Sequence, residues 1–175
     1  MRTIRRYACA DCEAVRDLFI RVNRELAPID LKEEFESYIV RSLAQEIERI
    51  PSYYGERQGS FWVMTEGSDI VGMFGLERSD SATAELRRMY VDSLARRRGV
   101  GRELLAFAEA AAREDGCMRM ILSTSELQQA AISLYRNSGY RIVREEIGTE
   151  QTNKTVGGGI RRFHFEKNLL FSAHS

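Results

Sequence analysis

The chain has 175 residues, 43% hydrophobic and 30% charged, which suits one soluble domain over residues 1–175 with a core of its own. Its 26 Lys and Arg equal its 26 Asp and Glu, so no basic nucleic-acid-binding surface is indicated. No stretch nears the ~18 apolar residues of a membrane span, and no signal-peptide core opens the chain, so a cytoplasmic protein is expected. Cys9, Cys12 and Cys117 are odd in number, and the only histidines are His164 and His174. Cys9-x-x-Cys12 lacks a second pair, so free thiols and no metal centre are expected.

In chain order, residues 3–7 read as a short strand, with Asp11 a helix N-cap behind it. The helix from about Cys12 carries Val15, Leu18, Phe19 and Val22 on one face and stops at Pro28 and Asp30. A second amphipathic segment runs from Leu31 through Phe35, Ile39, Leu43 and Ile47. Pro51 and Gly55 mark a loop that contains Tyr53 and Tyr54. Residues 61–65 and 70–76 read as antiparallel strands about a Gly67-Ser68-Asp69 turn, and residues 80–83 turn the chain into the next strand.

The most informative stretch is 85–116. Its strand changes phase at Arg87-Arg88, because a period of two cannot put Leu86, Met89 and Val91 on one face. A bulge there accounts for the slip and splays the strand from a neighbour. Arg96, Arg97, Arg98, Gly99, Val100 and Gly101 follow, then a helix with Val100, Leu104, Leu105, Ala108, Ala111 and Ala112 on one face. Strand, glycine loop and helix start together form an anion site, because the first helical N–H groups lack internal partners and the dipole adds positive potential.

Residues 119–124 form a further strand, a helix follows around Ala131 to Tyr135, and strands follow Tyr140 and at 161–167. The polar loop 147–159 ends in three glycines and reads as a mobile connection; residues 171–175 are expected to fray. The order is strand, two helices, three strands, helix, strand, helix, two strands. This implies an α/β fold whose sheet is mixed.

The glycine loop fits neither common nucleotide fingerprint. No Lys-Ser/Thr pair follows Gly101, and Leu104 stands where a dinucleotide loop has Gly or Ala. Arg-x-x-Gly-x-Gly instead resembles the pyrophosphate loop of the GNAT superfamily of acyl-CoA-dependent N-acetyltransferases. The resemblance continues through Ile121-Leu122-Ser123-Thr124, Ala131-Ile132-Ser133-Leu134-Tyr135 and Ser138-Gly139-Tyr140, and covers about residues 85–143 in detail. It implies a mostly antiparallel twisted sheet with helices on both faces, splayed between the fourth and fifth strands. The gap would admit the pantetheine arm of acetyl-CoA by strand addition.

Acyl transfer from acetyl-CoA to a primary amine needs a proton acceptor for the amine, a donor to the carbonyl oxygen and an acid for the thiol. The resemblance implies Tyr135 as the acid and Glu85 as the base, directly or through a water. It implies oxyanion and pantetheine contacts from the backbone near Met89, Tyr90 and Val91. Pyrophosphate contacts fall to Arg96, Arg97, Arg98, Gly99, Val100, Gly101 and Arg102. Gln128 stands where relatives often have asparagine near the cofactor. Ser123 and Thr124 either touch pantetheine or cap the next loop.

Tyr53, Tyr54, Phe61 and Trp62 are candidates to line an acceptor pocket, and Arg87 and Arg88 either attract a substrate carboxylate or lie on the surface. The expected acceptor is a small-molecule or amino-acid-like amine, with a homodimer plausible. A protein N-terminal or lysine acetyltransferase, and a non-catalytic acyl-CoA-binding module, are the alternatives.

Overall fold

Alternation along the central strands sends successive side chains into two separate apolar clusters. In the computed structural model, which describes residues 1–170, Phe61, Val63 and Met73 join one cluster, while Trp62, Met64 and Phe74 join the other. A period of two makes these the two faces of one sheet. The expected fraying of 171–175 lies outside the described residues.

The chain forms β1 (Arg2–Arg6), α1 (Cys12–Leu26), α2 (Lys32–Gln45), α3 (Ile50–Glu56), β2 (Ser60–Glu66), β3 (Asp69–Asp80) and β4 (Thr83–Val91). It continues with α4 (Val100–Glu114), β5 (Arg119–Ser125), α5 (Gln129–Asn137), β6 (Arg141–Gly148) and β7 (Ile160–Asn168). The sheet order is β1-β2-β3-β4-β5-β7-β6. Every neighbouring pair is antiparallel except β4–β5, which the crossover through α4 makes parallel. The mixed α/β class expected from the sequence is therefore observed.

Helices α1, α2 and α3 cover one face through Val15, Leu18, Phe19, Ile39 and Tyr54; α4 and α5 cover the other through Leu104, Leu105, Ala108 and Ile132. All six apolar positions expected on the inner face of α4 are buried. Leu104, fully enclosed, contributes about 1.5–3 kcal/mol by leaving water.

One element departs from the sequence reading. Residues 50–56, expected as a loop, are the short helix α3. Pro51 sits in its first turn, where its missing N–H costs nothing, and Gly55 near its end faces open space. Tyr53 and Tyr54 anchor α3 to the sheet, with ring centroids 5.1 Å apart and Phe61 5.2 Å from Tyr54. No helix among the described residues is long and apolar enough to cross a membrane.

Candidate active site

The site begins with the bulge. On β3, Met73 pairs with Tyr90 and Gly75 with Arg87, so Arg88 and Met89 together oppose Phe74 alone. Arg88 takes the left-handed conformation, φ 53°, which is strained by about 1–2 kcal/mol for a residue with a Cβ. Beyond the bulge β4 turns away from β5: parallel pairing runs through Thr83–Arg119, Ala84–Met120 and Glu85–Ile121 and ends there.

The ladder on either side shows what the gap exposes. The Asp92 N–H donates to the Val71 carbonyl at 2.9 Å, one step beyond the Val91–Gly72 pair. Val91 is thus a non-hydrogen-bonded partner of Gly72, and its own N–H and C=O point away from β3, into the gap. On the other bank the Glu126 N–H donates to the Arg161 carbonyl at 2.9 Å, one step beyond Ser125–Arg162. By alternation, Ser125 and Ser123 also turn their backbone groups from β7 towards the gap. Two unzipped strand edges therefore face the gap.

A cavity opens at this fork, lined among others by Glu85, Met89, Tyr90, Thr124, Gln128 and Tyr135. The structure thus gathers six of the sequence-derived candidates around one space, and leaves Val91 and the loop residues Arg96 to Arg102 outside its lining. The Glu85 carboxylate lies 3.2 Å from Lys154 Nζ. Tyr135 packs against Tyr140 and Phe165, with centroids 5.8 and 5.7 Å away, and its hydroxyl has no hydrogen-bond partner among the described residues. Burial, with Tyr90 adding to it, pushes the Tyr135 phenol well above its ordinary range, so it stays protonated at neutral pH. Thr124 donates to Gln128 Oε1 at 2.6 Å, and Ser125 N–H reaches the same oxygen at 3.4 Å. Thr124 is thus tied to the residue at the start of α5. Ser123 Oγ accepts from Arg162 Nη2 at 2.9 Å.

The glycine loop stands outside this cavity, at the start of α4. Arg97 and Gly99 both have positive φ, 61° and 78°, and curl the chain so that Gly99 caps the helix. Among the described residues, the N–H groups of Arg97, Arg98, Gly99, Val100, Gly101 and Arg102 donate to no backbone carbonyl. The arginines do not act alike. Arg96 reaches Glu25 at 3.1 Å and Arg98 is held by Glu66 through two bonds, whereas Arg102 is exposed.

Three expectations about the acceptor side are corrected. Tyr53, Tyr54, Phe61 and Trp62 do not line the cavity; the first three are buried with α3 and β2, and Trp62 packs on Phe107 across the opposite face. Arg87 and Arg88 are not on the surface. Arg87 bonds Glu46, Glu77 and the Tyr53 hydroxyl at 2.7, 2.7 and 2.8 Å; Arg88 bonds Glu46 at 2.7 Å and Tyr38 at 2.5 Å. Their partners, including the fully buried Glu46, neutralise them. The connection expected to be mobile over 147–159 begins only after β6 ends at Gly148, and it is fastened: Arg88 donates to the Asn153 carbonyl, and the Asn153 amide reaches Glu46 and Tyr53 at 3.2 Å. Lys154, Val156 and Gly157 carry this segment along the cavity wall.

Glu46, Lys154 and Arg162 went unnoticed in the sequence. Glu46 follows the amphipathic run of α2 and gives no local sign that its partners stand 41 and 42 positions later. Arg162 alternates with Phe163 and Phe165 in β7, which places it on a face but does not identify a cavity.

The model of the acetyltransferase (GNAT) family matches residues 15–140. Probable N-acetyltransferase 14 of Xenopus tropicalis is 40% identical over 99 residues, 55% of this chain and 48% of that protein. Human N-acetyltransferase 8 is 31% identical over 116 residues, 63% and 51% of the two chains. The chain spans about half the length of these curated relatives. The structure of yncA from Salmonella typhimurium, solved with its cofactor acetyl-CoA, superposes with a TM-score of 0.72 at 20% identity, covering 100% of this chain and 98% of the other. A family match from within the first helix to Tyr140 takes in the bulged strand, the unzipped edge and the glycine loop as one unit, and the chain belongs to the GNAT family of acetyltransferases.

Proposed function

We propose that this chain transfers an acetyl group from acetyl-CoA to the primary amine of a small molecule. The observation that carries the reading is the β4–β5 fork, where unpaired backbone edges meet a cavity lined by Glu85 and Tyr135. The residues present fit acetyl-CoA. Six successive N–H groups from Arg97 to Arg102 suit a pyrophosphate. The space over Gly101 is bounded by Leu134 Cδ2, 3.2 Å from where a Cβ would stand, so a side chain there would crowd the cradle. Val91 and Ser123 would pair with the amides of the pantetheine arm as a missing strand does.

When bound, acetyl-CoA supplies the acetyl group as a thioester open to attack by an amine. The chain's own groups manage protons and charge. Glu85 takes the proton that an amine carries at neutral pH, directly or through a water. The Met89 N–H, beside the bulge, is the donor for negative charge building on a carbonyl oxygen. Tyr135 keeps its proton and has it ready to donate. Lys154, Val156 and Gly157 of the 149–159 segment wall the cavity on one side, which supports a small acceptor over a polypeptide. Single-domain organisation over 1–175 is part of the same proposal.

The test is thermal unfolding with and without acetyl-CoA. At a concentration near 100 times Kd, a native-state ligand adds about 2.7 kcal/mol, or roughly 5–11 °C for a chain of this size. A concentration-dependent rise, followed by amine-dependent release of free CoA, is the expected result. No rise at millimolar acetyl-CoA would sink the proposal.

A further inference from the structure

Four cationic side chains line the cavity: Arg87, Arg88, Lys154 and Arg162. Three are answered by carboxylates. Arg87 has Glu46 and Glu77, each at 2.7 Å; Arg88 has Glu46 at 2.7 Å; Lys154 has Glu85 at 3.2 Å. Arg162 has none among the described residues, and its one side-chain hydrogen bond goes to the neutral Ser123 Oγ at 2.9 Å.

Its surroundings do not compensate. The cross-strand neighbours are Ser125 on β5 and Glu146 on β6. The Glu146 carboxylate is already held by His164 Nε2 at 2.7 Å and Arg144 Nη1 at 3.0 Å. Across the cavity stand the phenols of Tyr38 and Tyr90 and the guanidinium of Arg88. Burial lowers the Arg162 pKa, and Tyr38, Tyr90 and Glu146 offset this only in part. A guanidinium does not lose its proton in a protein, so an unanswered, partly desolvated charge faces the cavity. A planar fork of N–H donors is the geometry that accepts a carboxylate through two parallel bonds. The glycine loop is absent from this lining, so the cavity's spare charge belongs to the acceptor side and not to the pyrophosphate cradle.

We infer that Arg162 receives the carboxylate of the acceptor, so that the substrate is an amine that also bears a carboxylate, an amino acid or close analogue. The inference rests on the acetyl-transfer reading and adds a specificity determinant to it. Glu85 and Arg162 then divide the two ends of a zwitterion, the first meeting the ammonium and the second the carboxylate. The tie from Arg162 to Ser123 sets the guanidinium beside an unzipped edge of β5.

The experiment compares the twenty amino acids, β-alanine and γ-aminobutyrate with their carboxamides, reading CoA release by the parent, Arg162→Gln and Arg162→Lys. The parent should prefer the best acid to its amide. Arg162→Gln should cut that preference about 10- to 100-fold, chiefly through KM, the range for losing a charge-assisted bond. Arg162→Lys should restore part of it, and both variants should bind CoA with parental affinity in calorimetry. Equal use of acid and amide by the parent overturns the inference while leaving acetyl transfer standing. So does turnover of none of these acids by a protein that binds acetyl-CoA, or a loss of CoA affinity in Arg162→Gln with the acid preference intact. A parent that fails to bind acetyl-CoA overturns both readings together.

Discussion

Glu46→Gln is the sharpest test of how the site is held. The carboxylate is fully buried and accepts five hydrogen bonds: one from Arg87 at 2.7 Å, two from Arg88 at 2.7 and 3.2 Å, one from Tyr54 at 3.1 Å and one from Asn153 at 3.2 Å. Glutamine keeps the shape but turns one acceptor oxygen into an NH2 facing guanidinium donors. It also leaves two buried arginines with only Glu77 between them. Removing one partner of a buried ionic group costs about 3–5 kcal/mol. For a chain of this length that is a fall of roughly 6–20 °C in thermal midpoint. The matched control is Glu48→Gln, which breaks an exposed pair with Arg16 at 3.2 Å and should move the midpoint by less than about 4 °C.

Acid gives the same test a second axis. Burial pushes the Glu46 carboxyl up, but Arg88 and Arg87 outweigh it and hold the group below the ordinary carboxylate value. A depressed native pKa means the stabilisation is present above the unfolded value, about 4.3, and is lost as pH falls through the native one. The gap between parent and Glu46→Gln, followed by urea titration, should therefore be full at pH 7 and shrink below about pH 4. A variant within 1 kcal/mol of the parent at pH 7, or a gap that does not change with acid, would refute this account.

Tyr135→Phe should lower kcat about 10- to 100-fold and leave acetyl-CoA affinity in place, since it removes a proton donor and little apolar area; equal turnover would remove Tyr135 from the acid role. Gly101→Val should weaken acetyl-CoA binding more than tenfold in calorimetry, because its Cβ begins 3.2 Å from Leu134 Cδ2; parental affinity in the folded variant would count against the cradle. Glu85→Gln should alter the pH dependence of turnover, and an unchanged profile would leave proton removal to another group. Burial also raises the phenols of Tyr54, Tyr135 and Tyr140, and pushes Tyr90 up to about 12. A raised native pKa makes stability full below the ordinary phenol value, near 10, and erodes it above, because the unfolded chain ionises first. Absorbance at 295 nm should show these phenols ionising only with unfolding; free titration near pH 10 would contradict their burial.

The parts of the site legible in the sequence are those written locally. The phase slip at Arg87-Arg88 announced the bulge, because one extra residue must break a period of two. The arginine–glycine loop announced free amides, because glycine and a helix start expose them. Tyr53 and Tyr54 were misread because Pro51 and Gly55 look like breakers, although proline in a first turn favours a helix. Arg87 and Arg88 were misplaced because a buried cation depends on its counter-charge, and Glu46 lies a long way back along the chain. Arg162 went unseen for a related reason: what distinguishes it is a missing partner, which only the fold reveals.

The fastening of the bulge has a consequence for how this molecule can be re-engineered. Arg88 shapes the fork with its backbone, while its side chain is clamped by Glu46 just past the end of α2, Tyr38 within it, and the Asn153 carbonyl. The β4–β5 fork and the cavity wall thus share a keystone drawn from three distant stretches of chain. The first helices cannot be exchanged like a cartridge to give a new specificity, because a graft without Glu46 and Tyr38 also releases the strand that forms the slot. On the acceptor role proposed for it, Arg162 is the more accessible point of change, because its side-chain hydrogen bond goes to Ser123 and not to that keystone.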